Sequence, residues 1–247
     1  MSMATQEHAR YGVDAPRVLA GMTAGGLAAL AAGGVALAHR SRIPGWLLVA
    51  GGLYSMASAA SFAYTTLRGK FMVWEAELDR LGLAGTESVL DLGCGGGAVL
   101  ALVAQRLTDG RATGIDLWRS QDQSGNTLEA AMGNLRAEGI ASRTELVTGD
   151  LRALPFDDSE FDLVLSSLAI HNIPDAAGRD SAVSEAFRVL KPGGTLLIAD
   201  FQHTAEYAEA LRHLGAKTVT ERDLGWRFWY GGPWFATSMI GARRPPL

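Results

Sequence analysis

A single cysteine, Cys94, in a chain of 247 residues excludes an intramolecular disulfide framework and any zinc site built from several thiolates. Charge is sparse as well. Asp, Glu, Lys and Arg make up 19% of the chain, the formal net charge is −4, and no run of Lys and Arg is interleaved with aromatic residues. With so little to neutralise phosphates, a nucleic-acid partner is not expected, and no metal site is expected either. Apolar residues reach 48%, which excludes disorder as the main theme. The length suits one large domain, or a medium domain with an appendage.

The apolar excess is uneven. No charged residue occurs from Val18 to Ala38, and none from Ile43 to Leu67. At about 1.5 Å per helical residue, either run crosses a hydrocarbon core roughly 30 Å thick. The pattern predicts a transmembrane hairpin over residues 18–67, turned at His39, Arg40, Ser41 and Arg42 and preceded by a tail, residues 1–17. Two buried helices of a soluble protein are the alternative, favoured by the Ala and Gly content but opposed by the lack of a polar face. A signal peptide ending at Ala36-Leu37-Ala38 is disfavoured, because the apolar stretch is too long and a second run follows at once. Gly21 and Gly25, then Gly33, Gly34, Gly51 and Gly52, provide small residues for close helix approach. The spans would pack on each other or on a second copy, making a homodimer. Trp46 and Tyr64, near span ends, and Tyr54 are expected interface anchors.

Composition changes near Arg68, Gly69 and Lys70, so residues 68–247 are expected to form one domain. Strands are predicted at 88–92, 112–116, 144–148, 161–166 and 195–200. Helices are predicted at 98–107, 127–138, 179–190 and 204–214. This alternation predicts an α/β fold with a parallel sheet and right-handed crossovers.

The segment Val89-Leu90-Asp91-Leu92-Gly93-Cys94-Gly95-Gly96-Gly97 ends one strand and opens a helix, so its glycines let backbone approach a ligand. The spacing also satisfies the dinucleotide pattern, with Ala98 in the last place. An acid at Asp91 sits poorly beside a pyrophosphate, however, and suits a ligand carrying a cationic amino group. A nicotinamide-linked oxidoreductase and a noncatalytic membrane scaffold with a nucleotide-binding fold stay open as alternatives on these residues alone.

Asp91-Leu92-Gly93-Cys94-Gly95-Gly96-Gly97 resembles the first motif of the class I methyltransferases that use S-adenosylmethionine. Thr113-Gly114-Ile115-Asp116, Gly149-Asp150-Leu151, Phe161-Asp162-Leu163-Val164-Leu165-Ser166-Ser167 and Leu190-Lys191-Pro192-Gly193-Gly194-Thr195-Leu196 resemble its later motifs, in chain order over roughly residues 86–200. The resemblance implies a Rossmann-like, doubly wound, mostly parallel sheet of seven strands, and S-adenosylmethionine as cofactor. It places the methionine portion on Asp91, Gly93, Gly95 and Gly97. The ribose falls to Asp116, the adenine edge to Asp150 and Leu151, and the adenine face to Leu117. Cys94 is expected to be a small buried residue rather than a nucleophile.

After the fourth strand, Leu168-Ala169-Ile170-His171-Asn172-Ile173-Pro174 stands where the family's chain passes under the methyl group. His171 is the candidate catalytic base, with an unperturbed pKa near neutrality; packing alone is the alternative. The polar segment from Leu117 to Asn126 would form a lid or an acceptor contact, or else a helix entry capped by Ser124 or Asn126, with Arg119 and Asp122 paired. Trp226, Phe228, Trp229, Tyr230, Trp234 and Phe235 crowd a hairpin tip suited to core packing and to contact with lipid or an apolar acceptor. The expected acceptor is a small, hydrophobic or lipid-like molecule. The membrane is the expected location, with both termini and the catalytic domain on the cytoplasmic side. Arg10, Arg17, Arg68 and Lys70 flank the inner ends of the spans, against Arg40 and Arg42 in the turn. A chain starting near Gly69 is expected to fold and bind cofactor alone.

Overall fold

The structure, a computed structural model, describes residues 9, 11–119 and 123–246; Arg10 and Asp122 lie outside them. Helices α1 (Pro16–Ala38) and α2 (Arg42–Tyr64) form an antiparallel hairpin. Both are long and apolar enough to cross a membrane by length and composition. Little of either is covered: 11% of the most apolar window of α1 is buried, and 22% of that of the helix containing α2. Val35, Ile43, Trp46, Leu47 and Leu53 stand exposed, which a core helix of a soluble domain would not allow.

The helices meet at glycines one heptad apart. A Cβ on Gly33 would lie 2.9 Å from the Gly45 carbonyl, and one on Gly52 would lie 2.9 Å from that of Gly26. Gly26, Gly33, Gly45 and Gly52 thus make the close approach. Gly21, Gly25, Gly34 and Gly51 face open space, a correction to their expected role. The 3.6-residue period puts Gly26 and Gly33 on one stripe and turns their neighbours away.

No loop separates the hairpin from the rest of the chain. α2 passes through a π-helical turn, Thr65–Gly69, into α3 (Lys70–Leu81). The composition change at residues 68–70 therefore coincides with that turn inside a continuous helix. Its lower end packs on the domain: Ser61 and Thr65 donate to the Trp229 carbonyl, and Tyr64 stacks on Trp226 at 5.3 Å. Gly69 lies so close to the Arg227 backbone that a Cβ would overlap its carbonyl.

The domain is a seven-stranded sheet in the order β3-β2-β1-β4-β5-β7-β6. β1 (Ser88–Leu92), β2 (Arg111–Asp116), β3 (Thr144–Thr148), β4 (Phe161–Ser167) and β5 (Leu190–Asp200) are parallel. β7 (Ser238–Arg243) runs antiparallel between β5 and β6 (Lys217–Asp223). This is the doubly wound, mostly parallel sheet expected. Alternate residues of the central strands feed two cores. Leu163, Leu165, Leu197 and Ala199 pack with α3 and α4 (Ala98–Ala104), whereas Val164, Leu196 and Ile198 pack with α6 (Ala176–Val189) and α7 (Thr204–His213). Helix starts are set locally. The side chain of Thr127, rather than Ser124 or Asn126, caps α5 (Leu128–Ala137), and Asp175 caps α6. At the opposite end of the sheet from the glycine loop, Asp162 accepts from Ser88 N and Lys191 Nζ, tying β1, β4 and the start of β5.

Candidate active site

The carboxyl ends of β1, β2 and β4, together with the segments just beyond them, open onto a cavity of about 550 Å³, the position where open α/β sheets hold ligands. Asp91, Gly93, Gly95, Asp116, Leu117, Asp150, Leu151 and His171 all line it. Gly97 does not; it caps α4 in the left-handed conformation, at φ 82°. Gly93 has φ 70°, and a Cβ there would lie 2.2 Å from that of Ala169, so the loop between β1 and α4 closes only with glycine at this position.

Asp91 is 1% exposed, and its carboxylate has no side-chain partner; the backbone amide of Leu100, in the first turn of α4, faces it without a well-aligned hydrogen bond and offsets little of the cost of burial. Burial, aided by the negative charge of Asp116, pushes its pKa up to about 7. A buried, unpaired carboxylate is costly unless a cation comes to it. The same two charges, after burial, push the Cys94 thiol well above its ordinary value, which keeps the sulfur inert. Asp116 shapes the loop: Oδ2 accepts from Gly95 N at 2.9 Å, and Oδ1 from Trp118 N at 2.6 Å and Asn126 Nδ2 at 3.3 Å. A carboxylate has about four acceptor sites, so three bonds leave capacity for a hydroxyl. Asp150 is clasped by Arg152, whose hydrogen bonds hold its carboxyl below the usual range. Trp118 and Leu168, at φ 58°, carry left-handed backbone beside the cavity, and such strain gathers at functional sites.

His171 is on a 3₁₀ turn after β4, its Nδ1 2.8 Å from Oδ1 of Asp200 but out of line for a hydrogen bond. Asp200, fully buried at the end of β5, also accepts from the backbone amides of Phe201 and His171. Rings continue from there: His171 to Phe201 at 4.7 Å, Phe201 to Tyr230 at 6.1 Å, Tyr230 to Phe62 of α2 at 5.0 Å.

Several residues here carry no sequence signal. Asp14, in the tail, accepts from Thr66, Lys70, Tyr230 and the Gln123 side-chain amide. Lys70 is buried against it, and this pairing holds the Asp14 carboxyl low despite burial. Gln123 turns its other atom, Oε1, to Gly96 N at 2.7 Å, and Val13 pairs with Ser124 through backbone and hydroxyl. The tail therefore straps the glycine loop to the foot of the hairpin. Val18, Met22 and Phe62 of the hairpin line the same cavity as Asp91, as do Phe201, Tyr230 and Phe235.

These residues fit S-adenosylmethionine on structural grounds. An orphaned buried carboxylate awaits an ammonium group, a glycine loop gives backbone access, and Asp116 has capacity for a hydroxyl. Residues 90–198 match the family model described as a methyltransferase domain. Over 136 residues the chain is 36% identical to the ubiquinone/menaquinone biosynthesis C-methyltransferase UbiE of Roseobacter denitrificans, covering 54% of this chain and 50% of that protein. Over 129 residues it is 32% identical to the sterol 4-C-methyltransferase strm-1 of Caenorhabditis elegans, covering 52% of this chain and 35% of that one. The chain thus spans half or less of the length of these relatives. Among solved structures, the [4+2]-cyclase SpnF superposes with a TM-score of 0.59 at 21% identity, over 72% of this chain and 81% of that one. The geranyl diphosphate C-methyltransferase of Streptomyces coelicolor A3(2) gives 0.54 at 18%, over 69% and 78%. These two likenesses concern the fold alone. The aligned relatives and the matched domain agree with the motifs read from the sequence: the chain carries a methyltransferase domain of the class I, S-adenosylmethionine-dependent family.

Proposed function

We propose that the protein is a membrane-anchored methyltransferase that methylates a small, hydrophobic or lipid-like acceptor, with its catalytic domain on the cytoplasmic side. One observation carries this reading: a single cavity is lined both by the acidic glycine-loop end of the sheet and by apolar residues of the hairpin. The scant burial of the hairpin favours lipid around it, and the two relatives named above are both C-methyltransferases.

Asp91, Gly93 and Gly95 would hold the methionine portion of the cofactor, Asp116 the ribose, Asp150 and Leu151 the adenine edge, and Leu117 the adenine face, with Gly97 shaping the turn from outside the cavity. When bound, S-adenosylmethionine supplies an electrophilic methyl group on a sulfonium. The protein then has mainly to orient and to exclude water. His171, with Nδ1 turned to Asp200, keeps Nε2 free to take a proton from an acceptor hydroxyl, which makes the acceptor electron-rich at oxygen or at a conjugated carbon.

The test is transfer of labelled methyl from S-adenosylmethionine to a membrane lipid and metabolite extract. Label should appear in the organic phase with the parent and be lost with Asp116→Ala. Label confined to water-soluble products would overturn the hydrophobic acceptor. Selective binding of a nicotinamide dinucleotide would overturn the methyltransferase reading.

A further inference from the structure

How deep the domain sits in the membrane depends on where it grips the hairpin. The tip between β6 and β7 climbs α2 as far as Tyr54, whose hydroxyl accepts from Trp234 Nε1 at 2.7 Å, their rings 6.4 Å apart. On α1 the grip ends at Met22, whose methyl lies against Gly231. The parts projecting freely beyond these points are Thr23–Ala38 of α1, about 24 Å, and Arg42–Tyr54 of α2, about 20 Å. Both fall short of a hydrocarbon core roughly 30 Å thick. If the charged turn at His39, Arg40 and Arg42 reaches the far interface, the gripped part of the hairpin and the tip beside it lie below the near membrane surface. The tip suits that position. Trp234 is 68% exposed, Trp226 55% and Phe235 43%, and the single charged residue from 226 to 237 is Arg227, whose guanidinium lies over the Trp226 ring at 5.1 Å. Large rings with one polar atom are at home at that depth.

The cavity begins at the same place. Met22, Phe62 and Phe235 line it together with His171, and the ring series Phe62, Tyr230, Phe201, His171 joins the hairpin to the candidate base. Resting on the methyltransferase reading, we propose that the acceptor portal opens within the bilayer, between the inner ends of α1 and α2 and the aromatic tip. Its occupant is an amphiphile with a flat, hydroxyl-bearing head against His171 and an apolar tail passing Met22 and Phe62 into lipid. The hairpin is then a wall of the acceptor site and not merely an anchor. Val18, Met22 and Phe62 determine which tails are admitted.

Photolabelling of the full chain in phosphatidylcholine vesicles tests this. The probe is a hydroquinone with a prenyl-length tail bearing a diazirine, and labelled residues are read by mass spectrometry. Met22, Phe62 and Phe235 should be labelled. Met22→Trp, which fills the portal, should cut that labelling roughly tenfold while leaving S-adenosylhomocysteine affinity unchanged; Val18→Trp, on the same rim, should do likewise if Met22→Trp fails to fold. Label confined to Leu27, Leu47 and Leu53 on the outer faces, and indifferent to Met22→Trp, would overturn the portal. A phosphatidylcholine carrying the diazirine in its acyl chain that labelled Phe62 as strongly as the hydroquinone would overturn the selective head site. Absence of S-adenosylhomocysteine binding in the parent would instead strike the methyltransferase reading itself.

Discussion

The two halves of the cavity are built by different means. On the sheet side, short motifs set the geometry: an acid-bearing strand, a glycine turn and a helix start succeed one another within eleven residues, and each acid sits near or just beyond a strand end whose register the apolar pattern fixes. On the hairpin side, nothing is local. Asp14 meets Tyr230 across 216 positions and Gln123 across 109, and the wall of rings draws on α2, the segment after β5 and the β6–β7 connection. The first half is therefore set by neighbours in the chain, while the second joins the glycine loop, the cavity and the foot of the hairpin through a few polar contacts between residues far apart in sequence.

Breaking the link between the halves should have the largest effect. Asp14→Ala leaves the Lys70 ammonium buried without its partner and removes acceptors from Thr66, Tyr230 and Gln123. A loss of about 3 kcal/mol of stability is expected from breaking a buried pair, read by denaturant unfolding in detergent. Lys70→Met together with Asp14→Leu should recover much of that loss, because an apolar pair carries no desolvation penalty. Failure of the double variant to recover would assign the loss to the strap itself.

Asp116→Ala acts on the sheet half alone. It removes the acceptor of Gly95 N and the proposed ribose contact, so S-adenosylhomocysteine should bind about 10- to 100-fold more weakly, at roughly 1.5–3 kcal/mol for a hydrogen bond to a charged group. Folding should survive, since the residue anchors a loop rather than a core. Unchanged affinity would remove the ribose assignment.

The two halves should also answer pH in opposite senses. Asp14 has a lowered pKa, so its link is complete above the ordinary carboxylate range and weakens as pH falls below it. Asp91 has a raised one, so the ligand-free protein is increasingly penalised as pH climbs from the ordinary carboxylate range to about 7, with the full penalty above. The stability gained by Asp91→Asn over the parent should accordingly be near zero at about pH 4 and reach a plateau above about pH 7, on the order of 4 kcal/mol at most, read as a rise in Tm. A gain independent of pH would mean that Asp91 does not titrate as its burial dictates. The smallest effect belongs to the exposed Asp150–Arg152 clasp. Arg152→Ala should leave Tm nearly unchanged, and a clear fall in S-adenosylhomocysteine affinity with Tm intact would show that the clasp orients Asp150 for the cofactor.

Legibility in the sequence divides along the same line. The glycine loop and the first four parallel strands fall within a residue of where their patterns place them, and Asp91, Asp116, Asp150 and His171 all line the cavity, because strand ends and turns are dictated by residues a few positions apart; β5 begins at Leu190, five residues before the predicted start. The capping of α5 by Thr127 departs by one or three positions from the expected cap, as helix ends are apt to do. Asp14 reads as a stray acid in a tail and Lys70 as a flanking charge. Their burial arises from the π turn and from the climb of the aromatic tip along α2, neither of which has a local signature. For the same reason, the glycines that join α1 to α2 could not be chosen by spacing alone, and the expectation that a chain starting at Gly69 folds independently meets a helix that runs straight through that point, with Phe62 packed on Tyr230.

In the proposed function, the buried carboxylate of Asp91 receives the cationic amino group of the cofactor at the mouth of the glycine loop. Calorimetry at pH 8 on the full chain and on Asp91→Asn, with S-adenosylhomocysteine and with NAD as ligands, tests it most directly. The parent should bind S-adenosylhomocysteine and not NAD, and Asp91→Asn should bind it about 100-fold more weakly while melting at a higher temperature. Equal affinity in parent and variant, or preference for NAD, would contradict it.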